Sequence, residues 1–250
     1  MLQESLEAGV VGSAVIGTNL ESSQIATDLA KKHSSLLAVI GLHPLDQEVL
    51  DLDHLMQSLE KILHESQSFV KAIGECGLDY AYLPSDQEKA EQEKERQLIL
   101  FKRQLELAQK VQLPIVVHCR NAHVDLFPVL DTSIKISPDI PIIFHCMSGT
   151  IEDLERALHY PNSYISYAAN ITYPKSEHLR EMVKQTPRER LLIETDAPYL
   201  PPQSHRGKMN HPAMIIETGE AMADILSMQA ELLGEQLIEN AKRVYHHQSQ

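Results

Sequence analysis

Seven short apolar, β-branched runs separated by longer amphipathic stretches set the main constraint on this chain. The runs are Val10–Ile16, Leu36–Ile40, Phe69–Ile73, Pro114–Val117, Pro141–Phe144, Tyr164–Ser166 and Leu191–Ile193. Between them the apolar residues recur at helical spacing, as in Glu91–Val111, where Leu98, Phe101, Leu105 and Ala108 follow one another at three or four residues. Repeated strand–helix alternation predicts an α/β fold with a parallel sheet, because parallel neighbours need crossover connections. A TIM-type (β/α) barrel needs eight strands, and the chain shows seven, preceded only by a helix end at Leu2–Ala8. The expectation is therefore a TIM-type barrel missing its first β-strand, with residues 1–250 forming one N-terminally incomplete domain. An open doubly wound sheet is the rival, but no G-x-G-x-x-G or G-x-x-x-x-G-K-[ST] loop follows an early strand.

Composition narrows the function classes. The 22 Lys and Arg against 35 Asp and Glu give a formal charge of −13, which disfavours duplex nucleic-acid binding by a broad basic face. An acidic substrate would have to be met by a local cationic cluster. No apolar run approaches the ~20 residues that cross a bilayer, and the N-terminus lacks the basic-then-apolar order of a signal peptide, so a cytoplasmic protein without membrane contact is expected. Cys76, Cys119 and Cys146 are three in number and far apart, which argues against a disulfide framework.

The residues that carry chemistry sit at strand ends. Glu75 closes the third run, His118 the fourth and His145 the fifth, and Asp196 follows the seventh. In a parallel barrel the C-terminal strand ends share one face, so these four can hold metal despite their separation in sequence. Two imidazoles and two carboxylates suit zinc, manganese or, with more water, magnesium. Each cysteine directly follows one of these residues, but strand alternation turns neighbours to opposite faces, so small buried thiols are expected. Lys71, four residues before Glu75, lies toward the other end of its strand, away from the position where some metal hydrolases carry a carboxylated lysine. His43 in Gly41-Leu42-His43-Pro44 ends another strand and is placed to touch substrate. His205-Arg206-Gly207-Lys208, after the last strand, suits a phosphate oxyanion, and Arg120 is a further phosphate contact. His54, His64, His159, His178, His246 and His247 read as solvent-facing or packing residues, and Asp86–Glu95 as a loop entering a charged helix start.

Six motifs then occur in order. They are Ile16-Gly17-Thr18-Asn19-Leu20, Gly41-Leu42-His43-Pro44, Ile73-Gly74-Glu75-Cys76-Gly77-Leu78-Asp79-Tyr80, His118-Cys119-Arg120-Asn121-Ala122-His123, His145-Cys146-Met147-Ser148-Gly149 and Glu194-Thr195-Asp196-Ala197-Pro198-Tyr199-Leu200. In these the chain resembles the TatD family of metal-dependent deoxyribonucleases. The resemblance implies a TIM-type barrel, one or two divalent ions, with magnesium the expected metal and manganese or zinc the alternatives, and 3′-5′ exonuclease action on single-stranded DNA or RNA by a monomer. Glu75 would bridge two metal positions, His118 and His145 complete one, and Asp196 hold the other while taking a proton from the attacking water. His43, Arg120, His205, Arg206 and Lys208 would contact substrate. Two departures stand out: the family's opening His-x-His strand is absent, and Asn121 replaces a usual Asp. The rival functions are an ester or amide hydrolase, such as an aminoacyl-tRNA deacylase, and a non-catalytic truncated remnant.

Overall fold

In the computed structural model, which describes residues 1–45, 51–134 and 138–245, all seven apolar runs become strands. The order is α1 (Leu2–Glu7), β1 (Ser13–Ile16), α2 (Leu20–Lys32), β2 (Leu36–Ile40), α3 (Leu52–Glu65), β3 (Val70–Asp79), α4 (Gln87–Val111), β4 (Ile115–Arg120), α5 (His123–Ile134), β5 (Ile142–Phe144), α6 (Ile151–Leu158), β6 (Ser163–Tyr167), α7 (Glu177–Gln185), β7 (Leu191–Ile193), α8 (Ile215–Leu226) and α9 (Ala230–Tyr245). His246 and His247 lie outside the described residues. No helix of the described residues is long and apolar enough to cross a membrane.

The chain divides into two compact units. The N-terminal unit, Gly12–Ile143 with Tyr245, holds β1 to β4 side by side in chain order, each pair parallel. Its core is apolar and mostly aliphatic: Ala38, Val39 and Ile40 of β2, Ile73 of β3 and Ile115 and Val117 of β4 are buried with Leu59 of α3 and Leu100 and Phe101 of α4. Both faces of such a sheet are covered, which is why the strands read as continuous apolar runs instead of alternating ones. Local chemistry starts the helices. Asn19 and Ser22 form a capping box at α2, and Asp86 accepts the Lys89 N–H at α4. Helix α4 therefore begins at Gln87, so Asp86–Glu95, expected as a loop entering a charged helix start, is helical from its second residue.

Strand β3 differs most from its expectation. It does not close at Glu75 but continues to Asp79. Its pairing with β4 shifts register between Ile73 and Cys76 and then resumes with Gly77 opposite His118 and Asp79 opposite Arg120. Glycines permit the shift. A Cβ on Gly77, whose φ is +147°, would lie 2.0 Å from the His118 carbonyl oxygen. With the strand prolonged, Cys76 is fully buried and its thiol donates to the Val116 carbonyl at 3.7 Å.

The C-terminal unit comprises Met1–Val11 and Phe144–Val244. In it β6 and β7 pair in parallel, with Ile165 opposite Leu191 and Tyr167 opposite Ile193. Thr150 and Asp153 form the capping box of α6. Asn240 of α9 is buried and donates to the carbonyls of Arg188 (2.7 Å) and Leu191 (2.8 Å), fixing the entry to β7.

Candidate metal centres

Among the described residues, each unit gathers one group of side chains able to hold a metal ion. In the N-terminal unit these are His43, Glu75 and His118, and in the C-terminal unit His145, Glu194 and Asp196. Within each group the ligand atoms lie within 4.8 Å of one another. Ligands bound to one ion at about 2.0–2.2 Å can be no farther apart than roughly twice that distance, so small rotations close either group on a single cation.

In the first group, Glu75 Oε1 is 2.7 Å from His118 Nδ1 and 3.6 Å from His43 Nε2. The two imidazoles meet edge to face, with ring centroids 4.5 Å apart. His118 Nε2 faces Asp79 Oδ2 at 3.1 Å, and Asp79 is only 2 % exposed. A carboxylate behind a ligating histidine fixes the ring and its tautomer, and Asp79 occupies that position. Burial pushes the Asp79 carboxyl up, but the bonds to His118 and to the Ala81 N–H, with the charge of Arg120, outweigh it and hold the group below its ordinary range.

Two buried glutamines of α4 brace the segments that carry these side chains. Gln104 accepts the Leu42 N–H at 2.8 Å and donates to the Leu42 carbonyl at 2.9 Å, next to His43. Gln97 does the same for Asp79, at 2.8 and 3.0 Å. The two are seven residues apart, two helical turns, so they lie on one face of the helix. Each satisfies a backbone donor and acceptor that burial would otherwise leave unpaired. Further ties come from the loop after β1: the Glu75 N–H donates to the Gly17 carbonyl at 3.2 Å and the His43 N–H to the Thr18 carbonyl at 2.7 Å.

In the second group, His145 Nδ1 is 2.8 Å from Glu194 Oε1, and His145 Nε2 is 3.8 Å from Asp196 Oδ1. Glu194 Oε1 is buried and, beyond its contact with His145, has no hydrogen-bond partner among the described residues, which leaves it able to ligate a cation. Asp196 sits in a loop at φ 57°, and Asn210 holds that loop by donating to the carbonyls of Thr195 and Tyr199, both at 2.7 Å, and of Leu200 at 3.2 Å. Both donor sets, mixed imidazole and carboxylate, fit a divalent cation.

The structure thus brings Glu75 together with His118, and His145 together with Asp196. It adds two residues that sequence reasoning missed, Asp79 and Glu194, and gives a third a different setting. His43, expected at substrate, stands among the first group of ligands, and Asp79 and Glu194 were not singled out. Strand periodicity carried the signal for the last two, since Glu75, Gly77 and Asp79 alternate onto one face, as do Glu194 and Asp196 in extended chain. The residues expected at phosphate have the following surroundings. Arg120 is exposed, its guanidinium 5.2 Å from the Tyr82 ring centroid. His205 Nε2 is 2.8 Å from Glu217 Oε1, and Ser204 donates to the same carboxylate. Arg206 lies over the Tyr173 ring at 4.5 Å, and Lys208 is exposed.

Residues 1–246 match the family described as TatD related DNase. The chain belongs to the TatD family. Relatives of this TatD-family chain include an uncharacterised metal-dependent hydrolase of Mycoplasma pneumoniae, 35% identical over 239 residues, covering 92% of this chain and 87% of that protein. Another is the 3′-5′ ssDNA/RNA exonuclease TatD of Erwinia billingiae, 32% identical over 250 residues, covering 98% and 91%. A solved TatD homologue from Escherichia coli matches with a TM-score of 0.88 and 28% identity over 99% of this chain and 91% of its own. The fold is the TIM-type α/β fold of TatD homologues, and the chain is a TatD-family metal-dependent hydrolase.

Proposed function

We propose that this TatD-family chain, as one hydrolase domain, releases nucleotides from the 3′ ends of single-stranded DNA or RNA with the help of divalent cations, magnesium first among them. The observation that carries the reading is the pair of imidazole–carboxylate groups, each able to close on one cation, in a chain whose relatives include a protein named as a 3′-5′ ssDNA/RNA exonuclease. His43, Glu75 and His118 would hold one ion, and His145, Glu194 and Asp196 a second. When bound, such ions neutralise charge developing on the phosphate and acidify water at the site. Asp196, on its braced loop, accepts the proton of the attacking water at its carboxylate. Asp79 keeps the His118 ring in place through Nε2. Arg120 neutralises a substrate phosphate, and Arg206 and Lys208 a flanking one, while His205, held by Glu217, shapes their loop. Cations confined to a few positions in a chain of charge −13 favour a strand end over a long duplex track.

The test is nucleotide release from 3′-labelled single-stranded DNA, with magnesium and with EDTA, by the wild type and Asp196→Asn. Release that needs magnesium and falls at least ~10²-fold in the variant supports the reading, the scale being that of a positioned general base. Deacylation of an aminoacyl-tRNA without nucleotide release would instead make the chain an ester hydrolase. Folded protein inactive on both would make it a non-catalytic binder.

A further inference from the structure

Tyr82 is 66% exposed, although an aromatic ring of this size normally seeks burial. One face is occupied. The Arg120 guanidinium lies over the ring at 5.2 Å from the centroid, and Arg120 Nη1 donates to the Tyr82 hydroxyl at 3.3 Å. The neighbouring Tyr80 is spent otherwise, since its half-buried ring lies 5.5 Å from Lys94 Nζ and its hydroxyl donates to Asp125 at 3.0 Å. Of the two tyrosines just past the end of β3, Tyr82 is the one left largely exposed.

Position gives that surface a purpose. In the parallel register Arg120 stands opposite Asp79, and the Tyr80 N–H donates to the Arg120 carbonyl at 2.9 Å. Tyr82 therefore lies in the turn three residues beyond Asp79, the last residue of β3, and Arg120 ends β4 two residues beyond His118. Arg120 is an exposed cation close to the first ligand group in a chain of charge −13, a local positive site for an anion. A flat ring pinned on one side by a cation, beside a phosphate-chemistry site, has the parts of a single-strand binding platform: a π-face for a base and a positive charge for the backbone next to it.

We propose that Tyr82 and Arg120 form a base-stacking subsite for single-stranded nucleic acid, Tyr82 taking an unpaired base on its open face and Arg120 the adjoining phosphate. The proposal rests on the reading of the substrate as a polynucleotide. It gives a physical reason for single-strand preference, because a paired base keeps its faces stacked inside the helix, whereas every unpaired base has a face to offer. Base identity should matter little. Arg120 pre-orients the ring, so little side-chain freedom is lost on binding.

The probe is a short fluorescent oligodeoxythymidylate with 3′-terminal phosphorothioate linkages, which resists release, titrated by anisotropy with the magnesium-loaded chain. Tyr82→Ala is expected to weaken binding about tenfold, the lower part of the range for losing one stacked base, while Tyr82→Phe, which keeps the ring, stays within about twofold. A single abasic position near the 3′ end, moved one step at a time, should reproduce the loss at one register in the wild type and add nothing in Tyr82→Ala. Equal affinity of wild type and Tyr82→Ala, or the same abasic sensitivity in both, overturns the proposal, as does failure of the wild type to bind the oligonucleotide. Release from the unmodified oligonucleotide tests the nuclease reading separately. Tyr82-dependent binding without release would sink that reading and leave the platform standing, whereas release with Tyr82-independent binding would do the reverse.

Discussion

Asp79 decides how His118 can serve as a ligand. With Nε2 facing the buried Asp79 carboxylate and Nδ1 facing Glu75, the ring has one nitrogen for orientation and one for a cation. Replacing Asp79 by Asn keeps the shape but removes the charge that stabilises this arrangement. Divalent-ion affinity should fall about 10- to 100-fold, measured by calorimetric titration with manganese; unchanged affinity would mean that Asp79 only packs. The sequence made the obvious candidate ligands legible because Glu75, His118, His145 and Asp196 each stand at or just past an apolar run. It concealed Asp79 and Glu194 because both sit beside a stronger signal, and only the two-residue alternation from Glu75 and Asp196 marks them. His43 was legible as a site residue but not by role, since nothing local to Gly41-Leu42-His43-Pro44 records that Glu75 will stand 3.6 Å away.

At the scale of elements, the strand and helix order was readable throughout because continuous apolar runs and helical periodicity are local properties. The extent of β3 was not, because it depends on pairing with β4 past a register shift that neither strand encodes alone. Gly77 carries that constraint. Alanine there would meet the His118 carbonyl at 2.0 Å in a backbone conformation that L residues rarely adopt. Gly77→Ala should therefore destabilise the chain by about 3 kcal/mol or more in chemical denaturation, or prevent folding, whereas a shift under ~1 kcal/mol would show that the strands part easily at this point. The glutamines of α4 were equally hidden. Gln97 and Gln104 read as polar helix residues, and only the fold shows each closing a pair of backbone hydrogen bonds beside a ligand.

For the molecule as a whole, charge separates two kinds of nucleic-acid binding. A formal charge of −13 with Arg120, Arg206 and Lys208 as the cations proposed for phosphate contact predicts a shallow salt dependence for single-stranded DNA, a slope of log affinity on log salt near about −2 for three phosphate contacts. A slope steeper than about −5, measured by anisotropy across a salt series, would require a cationic track that the proposal does not include. Family membership accounts for the hydrolase chemistry, and the two ligand groups account for how this chain could perform it, so metal stoichiometry is the most direct test. Titrating the metal-free chain with manganese should reveal two ions per chain, with one remaining in His118→Ala and one in His145→Ala. A wild type that binds one ion or none, or variants that keep both, would contradict the assignment of a cation to each group.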